Sequence, residues 1–235
     1  MIVVKNRAET QSRPVTAEPR LQSRVYLGSI EESQRGPQAF TATFPPSYEL
    51  HAHYHDCDQF QIFVEGSATV GRRTVGPVTV MYTDSYTPYG PYRIAAEGMT
   101  FYNVRAYSNI GSMPMPESKP IQERHRGRII EAQTRFDGSV DLGDIPGMMR
   151  RATMIELGDD GLSAYEVVLG PDTGLEAEAV AGSGRFYIVL RGAMWFGDRD
   201  LQADGVAFVS PGDSSPFVRS GAEGVHFLQL QLPCV

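Results

Sequence analysis

Cysteine is scarce in this 235-residue chain, which has only Cys57 and Cys234. No disulfide framework can be read from such a pair. No run of 18 apolar residues occurs, and the opening "MIVVKNRAETQSRP" has no long apolar segment. The net charge of -7 comes without a basic stripe to attract a nucleic acid. We therefore expect a cytoplasmic protein with no membrane or nucleic-acid partner.

Apolar patterns with the helical period are also scarce, whereas glycine (24) and proline (16) are frequent. Short strands separated by turns are typical of such a composition, so the sequence predicts an all-β fold. One short helix is predicted in "KPIQERHRGRIIEAQ", where Ile121, Ile129 and Ile130 fit one helical face. The arginines of "RHRGR", residues 124–128, are flanked by glutamates, and we interpret them as a solvated segment.

An internal repeat sets the domain count. With Gln59 aligned on Arg185, an offset of 126 positions, "QFQIFVEGSATVGRR" matches "RFYIVLRGAMWFGDR" without gaps. Identical pairs at this offset are Phe60/Phe186, Ile62/Ile188, Gly66/Gly192, Gly71/Gly197, Arg73/Arg199, Val80/Val206, Arg93/Arg219, Glu97/Glu223, Gly98/Gly224 and Phe101/Phe227. The repeat indicates two copies of one β module, each a sandwich or a barrel.

Three of the five histidines fall at alternate positions in "ELHAHYHDCDQFQIFV". Side chains alternate between the faces of a strand, so His51, His53 and His55 are expected on one face, with Gln59 and Gln61 in phase. An exposed polar face of an edge strand is the simpler interpretation. The apolar "FQIFV" that follows places the histidines beside a core instead, which favours a metal site.

The spacing in this segment resembles the first motif of the cupin superfamily. That motif is Gly, five residues, His-x-His, three or four residues, Glu, six residues, Gly. Here Ser47 stands at the first glycine, His53 and His55 at the histidines, Gln59 at the glutamate and Gly66 at the last glycine. In the second copy, "SPGDSS" resembles the second motif, with Ser215 at the histidine position and Tyr89 as its counterpart in the first copy.

The resemblance covers nearly the whole chain and implies a bicupin. Its expected fold is two tandem cupin barrels (RmlC-like, double-stranded β-helix or jelly-roll). We expect an N-terminal cupin at 1–107, a linker at 108–149 and a degenerate C-terminal cupin at 150–235. "DQFQIFVEG" and "YTPYGPY" also look like a cupin group without an assigned function, which adds no activity.

The cupin resemblance implies a divalent transition metal (Fe, Zn, Mn, Ni or Cu) held by His53, His55 and Gln59. A carboxamide at Gln59 carries no charge, so His51 or Tyr89 is a candidate additional donor. Tyr89 is equally consistent with an aromatic wall of the barrel. Cys57 is a conceivable thiolate ligand, but its neighbours suggest a loop side chain. In the second copy, Ala179, Ala181 and Arg185 occupy the matching positions, so no such metal site is expected there.

A tyrosine cluster follows the first copy's core strand. Tyr82, Tyr86 and Tyr92, with Gln61, are candidates to bind a small organic substrate, and Tyr89 and His51 are candidates to move protons. A subunit interface rich in tyrosine explains the cluster equally well. In the second copy, an inward Arg185 would suit an anionic ligand.

Three classes of function fit these residues. A metal-dependent cupin enzyme, most often a dioxygenase and otherwise a lyase or isomerase, is favoured by the retained His-x-His spacing. A non-catalytic small-molecule binding cupin and a structural protein of the seed-storage type are the alternatives. We also expect a homodimer, because Phe60, Ile62 and Val64 form an apolar strand face opposite Gln59 and Gln61.

Overall fold

The computed structural model describes residues 1–33, 36–107, 111–124, 126–136, 141–145 and 147–234. It separates into two compact units. One contains Gln11–Gln133, and the other combines Met1–Thr10 with Thr134–Val235. We call them the N-terminal and C-terminal barrels.

Antiparallel strands make up most of the N-terminal barrel. These are β2 (Ser12–Val15), β3 (Glu18–Leu27), β4 (Gln38–Phe44), β5 (Glu49–Leu50), β6 (His53–Tyr54), β7 (Gln59–Val70), β8 (Arg73–Val75), β9 (Thr79–Thr83), β10 (Tyr92–Arg105), β11 (Met113–Pro114) and β12 (Ile129–Gln133). The main sheet has the order β12-β9-β7-β10-β4-β3-β2, with β8 on β7 and β5 on β10, while β6 pairs with β11.

The C-terminal barrel repeats this arrangement. Its strands are β1 (Ile2–Lys5), β13 (Met149–Ile155), β14 (Ser163–Leu169), β15 (Gly174–Leu175), β16 (Arg185–Phe196), β17 (Arg199–Gln202), β18 (Val206–Val209) and β19 (Val218–Gln231). They form one sheet in the order β1-β18-β16-β19-β14-β13, with β15 on β19 and β17 on β16. Single 3-10 turns lie at Arg7–Glu9, Lys119–Ile121 and Leu142–Asp144.

The two central strands of each barrel agree with the repeat in position and length. Strand β7 matches β16 and β10 matches β19, both shifted by the 126 positions read from the sequence. The shared glycines explain part of the identity. A Cβ on Gly66 would lie 1.9 Å from the carbonyl oxygen of Gly98, and one on Gly192 would lie 2.2 Å from that of Gly224. All four have positive φ at bulged contacts between paired strands.

The expected helix in residues 119–133 is wrong. Among the described residues of that segment, Lys119–Ile121 is a 3-10 turn and Ile129–Gln133 is strand β12, which pairs with β9. Gly127 has φ 76°, a conformation that ends any helix there. His125, within "RHRGR", lies outside the described residues. A few isoleucines in so short a segment fit a period of two as well as one of 3.6.

The unit boundaries also differ from the expected 107 and 150. Strand β12 extends the N-terminal barrel to Gln133, and β1 belongs to the C-terminal barrel through its pairing with β18. Residues 108–110, 137–140 and 146 of the expected linker lie outside the described residues. The repeat predicts neither of these two boundaries, because β1 and β12 lie outside the aligned segments.

Each barrel encloses its own apolar core. Phe44, Phe63, Met99 and Phe101 are members of the N-terminal one, and a set of residues including Val189, Phe196 and Phe227 forms the C-terminal one. Phe60 and Ile62 are fully buried within the single chain. The apolar strand face from which we predicted a homodimer is therefore already buried at these two residues. The dimer itself stays a prediction. No helix in the described part of the chain is long and apolar enough to cross a membrane.

Candidate metal and ligand site in the N-terminal barrel

The histidine segment is not one continuous strand. Only His53 and Tyr54 form β6, and His53 exchanges two backbone hydrogen bonds with Tyr89, N to O at 3.1 and 3.0 Å. Ser47, at the cupin glycine position, has φ 58° and so occupies the left-handed conformation that glycine favours. The segment therefore turns into the barrel as the motif implies, and brings His53 and His55 against Tyr89.

His53 is fixed in one tautomer. Its Nδ1 lies 2.7 Å from the carbonyl oxygen of His51, and because a carbonyl only accepts, Nδ1 carries the proton and Nε2 keeps its lone pair. Burial lowers the pKa of His53, only partly opposed by that hydrogen bond, so the ring is neutral near pH 7. The His53 and His55 rings are perpendicular, with centroids 5.3 Å apart. Two buried imidazoles thus lie side by side.

Gln59 is held between two partners. Its Oε1 accepts a hydrogen bond from Nε of Arg105 at 3.0 Å, and its Nε2 donates to the Tyr89 hydroxyl at 2.7 Å. Arg105 is 3% exposed and also donates from Nη1 to Oε1 of Gln38 at 3.1 Å. The carboxamide therefore has a defined orientation, with its oxygen directed at a guanidinium.

Tyr89 forms a wall shared by these groups. Its ring centroid lies 4.6 Å from that of His53 and 6.4 Å from that of His55. Burial raises the pKa of Tyr89, and the nearby Arg105 and the hydrogen bond from Gln59 lower it only in part. Tyr89 is thus a protonated phenol near pH 7. Its oxygen accepts from Gln59, which leaves its proton for another acceptor.

Two further candidates lie deeper in the same barrel. Gln61 follows Gln59 on the inner face of β7, and its Oε1 accepts a hydrogen bond from the Tyr92 hydroxyl at 3.1 Å. Both side chains are almost fully buried, at 2% and 0% exposure. The Tyr92 ring also packs in the aromatic core, with its centroid 6.0 Å from that of Phe63 and 6.0 Å from that of Tyr89.

The remaining candidates are not brought to this point. His51 is exposed, and its backbone carbonyl, not its ring, contacts His53. Tyr82 lies on the opposite face of its strand, packed on Phe60 with its hydroxyl donating to Asp84 at 2.7 Å. Tyr86 is half-buried beside Tyr54, at a ring separation of 6.0 Å. In the pairing of β7 with β9, Tyr82 lies opposite Phe60, and Gln59 lies opposite Thr83. Because side chains alternate between the two faces of a strand, Tyr82 and Gln59 lie on opposite faces of the sheet.

The thiol of Cys57 does not join the histidines as a ligand. Burial raises the pKa of Cys57 to about 11, so the group is a neutral thiol near pH 7. Within the described ranges, no three His, Cys, Asp or Glu side chains converge in a way that would hold a metal ion. The described donor set is two imidazoles and neutral oxygens.

In the C-terminal barrel, Arg185 occupies the position that matches Gln59. Its Nε and Nη2 reach Oε1 of Gln231 at 3.3 and 2.9 Å, and Nη2 also reaches the carbonyl oxygen of Ala179 at 3.2 Å. Nη1 reaches Glu178 at 2.8 Å and the Tyr187 hydroxyl at 3.5 Å. These contacts use all five N–H donors of the guanidinium. The anionic group that Arg185 was expected to attract is the protein's own Glu178.

Arg105 is the site residue that sequence reasoning missed. It lies directly across the ladder from Gln59, as Gln231 lies across from Arg185. The two barrels therefore carry the same cross-strand Arg–Gln pair with its members exchanged. The repeat contained the information needed to find Arg105. The offset of 126 aligns Gln59 with Arg185 and Arg105 with Gln231. The replacement of glutamine by arginine on one strand therefore predicts the replacement of arginine by glutamine on the strand that pairs with it.

Comparison with known proteins finds matches only in solved structures, since no protein-family model and no curated protein sequence matches the chain. A candidate dioxygenase from Nostoc punctiforme matches 98% of this chain and 78% of its own, with 11% identity and a TM-score of 0.63. A variant of oxalate decarboxylase from Bacillus subtilis matches 100% and 78%, with 14% identity and a TM-score of 0.62. A pirin from Escherichia coli in complex with nickel(II) matches all of both chains, with 12% identity and a TM-score of 0.63.

These neighbours are cupin-fold proteins, and at such identities they establish the fold. The chain has the all-β bicupin architecture that the motif spacing predicted. Two of the neighbours are described with metals, Mn(II) in oxalate decarboxylase and nickel(II) in the pirin. Those metals are properties of the neighbours.

Proposed function

We propose that this protein is a metal-dependent cupin enzyme, an oxygenase acting on a small organic molecule in the N-terminal barrel. The observation that carries the proposal is the buried pair of His53 and His55 beside Tyr89. In the other barrel, Ala179 and Ala181 replace the two histidines, and Arg185 replaces Gln59. A purely structural barrel has no need of two desolvated imidazoles, because burying polar groups costs free energy.

The described donors fit a divalent transition metal, but weakly. His53 presents a lone pair on Nε2 while its Nδ1 is held by a backbone carbonyl, an arrangement common to metal-bound histidines. His55, whose ring centroid lies 5.3 Å from that of His53, would be the second ligand. Gln59 contributes only by sharing Oε1 with Arg105, whose charge opposes a nearby cation. The metal would therefore have two firm protein ligands, and solvent or substrate would complete its coordination.

When bound, such a metal supplies Lewis acidity and an open coordination position for substrate or dioxygen. The other tasks belong to the chain's own side chains. Tyr89, kept protonated by burial, donates a hydrogen bond or a proton to a substrate oxygen. Gln59 and Arg105 fix the direction of the Tyr89 hydroxyl. Gln61 and Tyr92 set the polar floor on which a small substrate would rest.

The test is elemental analysis of protein purified without added metal and again after loading with Fe(II), Mn(II), Ni(II), Cu(II) or Zn(II) followed by desalting. We expect close to one metal per chain after loading, and loss of that metal in His53→Ala/His55→Ala. His226→Ala is the matched control, because that histidine lies in the other barrel. Equal metal content in the double variant and wild type would refute the assignment. Oxygen consumption with a substrate panel then tests the oxygenase step.

A non-catalytic binding cupin is the second candidate, and one observation favours it. The described residues lack a third ionisable ligand near His53 and His55. If the loaded protein retains no metal after desalting, yet still binds small organic molecules saturably, the binding function replaces the enzymatic one.

A further inference from the structure

An open cleft of about 410 Å³ lies beside Tyr89, and neither His53 nor His55 is among its lining residues. Its lining residues are Val70, Gly71, Arg72, Arg73, Met81, Pro88, Tyr89, Gly90 and Ile129. Tyr89 is the member of this set that also contacts His53 and receives the hydrogen bond of Gln59. The volume falls within the range of small-molecule sites in proteins. The cleft therefore shares one wall with the proposed metal site.

The charges on this cleft are of one sign. Arg72 lies in the turn between β7 and β8 and Arg73 begins β8, and no acidic residue is among the lining residues. Arg73 pairs with Glu131, Nη1 to Oε2 at 3.0 Å. Arg72 makes no hydrogen bond or ion pair with any residue that the structure describes. In a chain of net charge -7, this local excess of positive charge favours an anion.

The second barrel shows that the turn itself does not require Arg72. The matching turn is Gly197-Asp198-Arg199, with φ 66° at Gly197 against 62° at Gly71. The same backbone thus carries an aspartate where the histidine-bearing barrel carries Arg72. The added positive charge occurs in the barrel with the candidate site and is reversed in the barrel without it.

We infer that this cleft binds a small organic carboxylate, with its anionic group on Arg72 and Arg73 and its apolar body against Val70, Met81 and Pro88. The inference goes beyond the proposed function, which places the substrate on Gln61 and Tyr92, because neither residue lines this cleft. Two arginines at the rim set the orientation of the ligand, and its body points toward Tyr89. An uncharged molecule of the same shape cannot pair with the two arginines, so it binds more weakly.

Benzoate and its neutral analogue benzamide are the probes, titrated into the full-length protein and followed by ligand-observed NMR. We expect saturable benzoate binding that exceeds benzamide binding and weakens in 0.5 M NaCl. The charge reversal Arg72→Asp, which copies Asp198, should weaken benzoate at least about fivefold, because it removes an exposed ion pair and adds repulsion. Ile129→Glu, at an exposed wall of the cleft, should weaken it similarly.

Arg199→Asp is the matched control in the other barrel and should leave benzoate affinity unchanged. No saturable benzoate binding, equal affinity for benzamide, or equal affinity in Arg72→Asp would each overturn the inference. Metal content separates this failure from that of the proposed function. Arg72→Asp should keep the wild-type metal content, and His53→Ala/His55→Ala should keep benzoate binding while losing metal.

Discussion

Asp84 is a buried carboxylate of the N-terminal barrel whose substitution should destabilise the fold. The side chain is 1% exposed and accepts hydrogen bonds from the Tyr82 hydroxyl at 2.7 Å and from Arg128 N at 2.7 Å, Nη2 at 2.9 Å and Nε at 3.1 Å. Asp84 N also donates to the carbonyl oxygen of Arg128 at 3.0 Å. This Asp84 cluster (Asp84, Tyr82, Arg128) fastens the start of β12 to β9.

Replacing Asp84 by Asn keeps one acceptor oxygen and puts an NH2 group where the other stood. About two charge-assisted hydrogen bonds are lost, each contributing about 1.5–3 kcal/mol when buried. The Arg128 side chain is 30% exposed and regains water, so we expect a net loss of about 2–3 kcal/mol. For a unit of this size that lowers the melting temperature by roughly 10 °C.

The assay is urea and thermal unfolding followed by near-UV circular dichroism of the tyrosines. Asp172→Asn is the control: its pair with Arg219 spans 3.0 Å, but the two side chains are 64% and 57% exposed, so its loss should stay below about 0.5 kcal/mol. Equal destabilisation by the two substitutions would refute the reasoning.

The same substitution has a pH signature. Burial alone would raise the pKa of Asp84, but the hydrogen bonds from Arg128 and Tyr82 outweigh it and hold the pKa below its ordinary value. A carboxyl with a depressed pKa stabilises the fold above its unfolded pKa of about 4, and that contribution is lost as pH falls through the folded pKa. The stability difference between wild type and Asp84→Asn should therefore be constant from pH 7 to 5 and shrink below pH 4.

Three further outcomes are expected from other parts of the molecule. Ser47→Gly should raise stability by up to about 1 kcal/mol in urea unfolding, since glycine adopts the positive φ without strain; a loss of stability would contradict this. Gln59→Glu should retain metal longer during dialysis against a chelator only when Arg105→Gln accompanies it, because Arg105 otherwise neutralises the new carboxylate; an equal gain in the single variant would show that Arg105 does not compete. The homodimer remains a prediction, and a light-scattering mass of one chain at micromolar concentrations would refute it.

The sequence predicted what depends on local spacing. The repeat located β7, β10, β16 and β19, because the glycines at their bulged contacts constrain those residues in both copies alike. It could not locate β1 or β12, because the ungapped alignment covers neither strand, although the two take the same edge position in their sheets. The helix failed for a related reason: Ile129 and Ile130 precede no long periodic segment, and pairing with β9 decided their conformation.

At the candidate site, spacing found His53, His55, Gln59 and Tyr89, which do lie together. It could not assign Tyr82, because four tyrosines in eleven residues cross a strand and a turn, and only the strand's register decides which face each takes. Arg105 was missed because it lies 46 positions from Gln59 and becomes its neighbour only through the ladder of β7 and β10. Such contacts are visible in a sequence only when a second copy repeats them.

The pairing of β1 with β18 has a consequence for how the protein is made. Arg7 and Asp204, which form an ion pair beside these strands, are 197 positions apart. On the ribosome, residues 1–10 emerge before residues 11–133 and have no partner until β18 has been synthesised, while residues 11–133 can already fold. Ile2, Val3 and Val4 then stay exposed for most of translation, an apolar segment open to a chaperone. Closing so long a loop is slow, so completion of the C-terminal sheet should be the last event in folding.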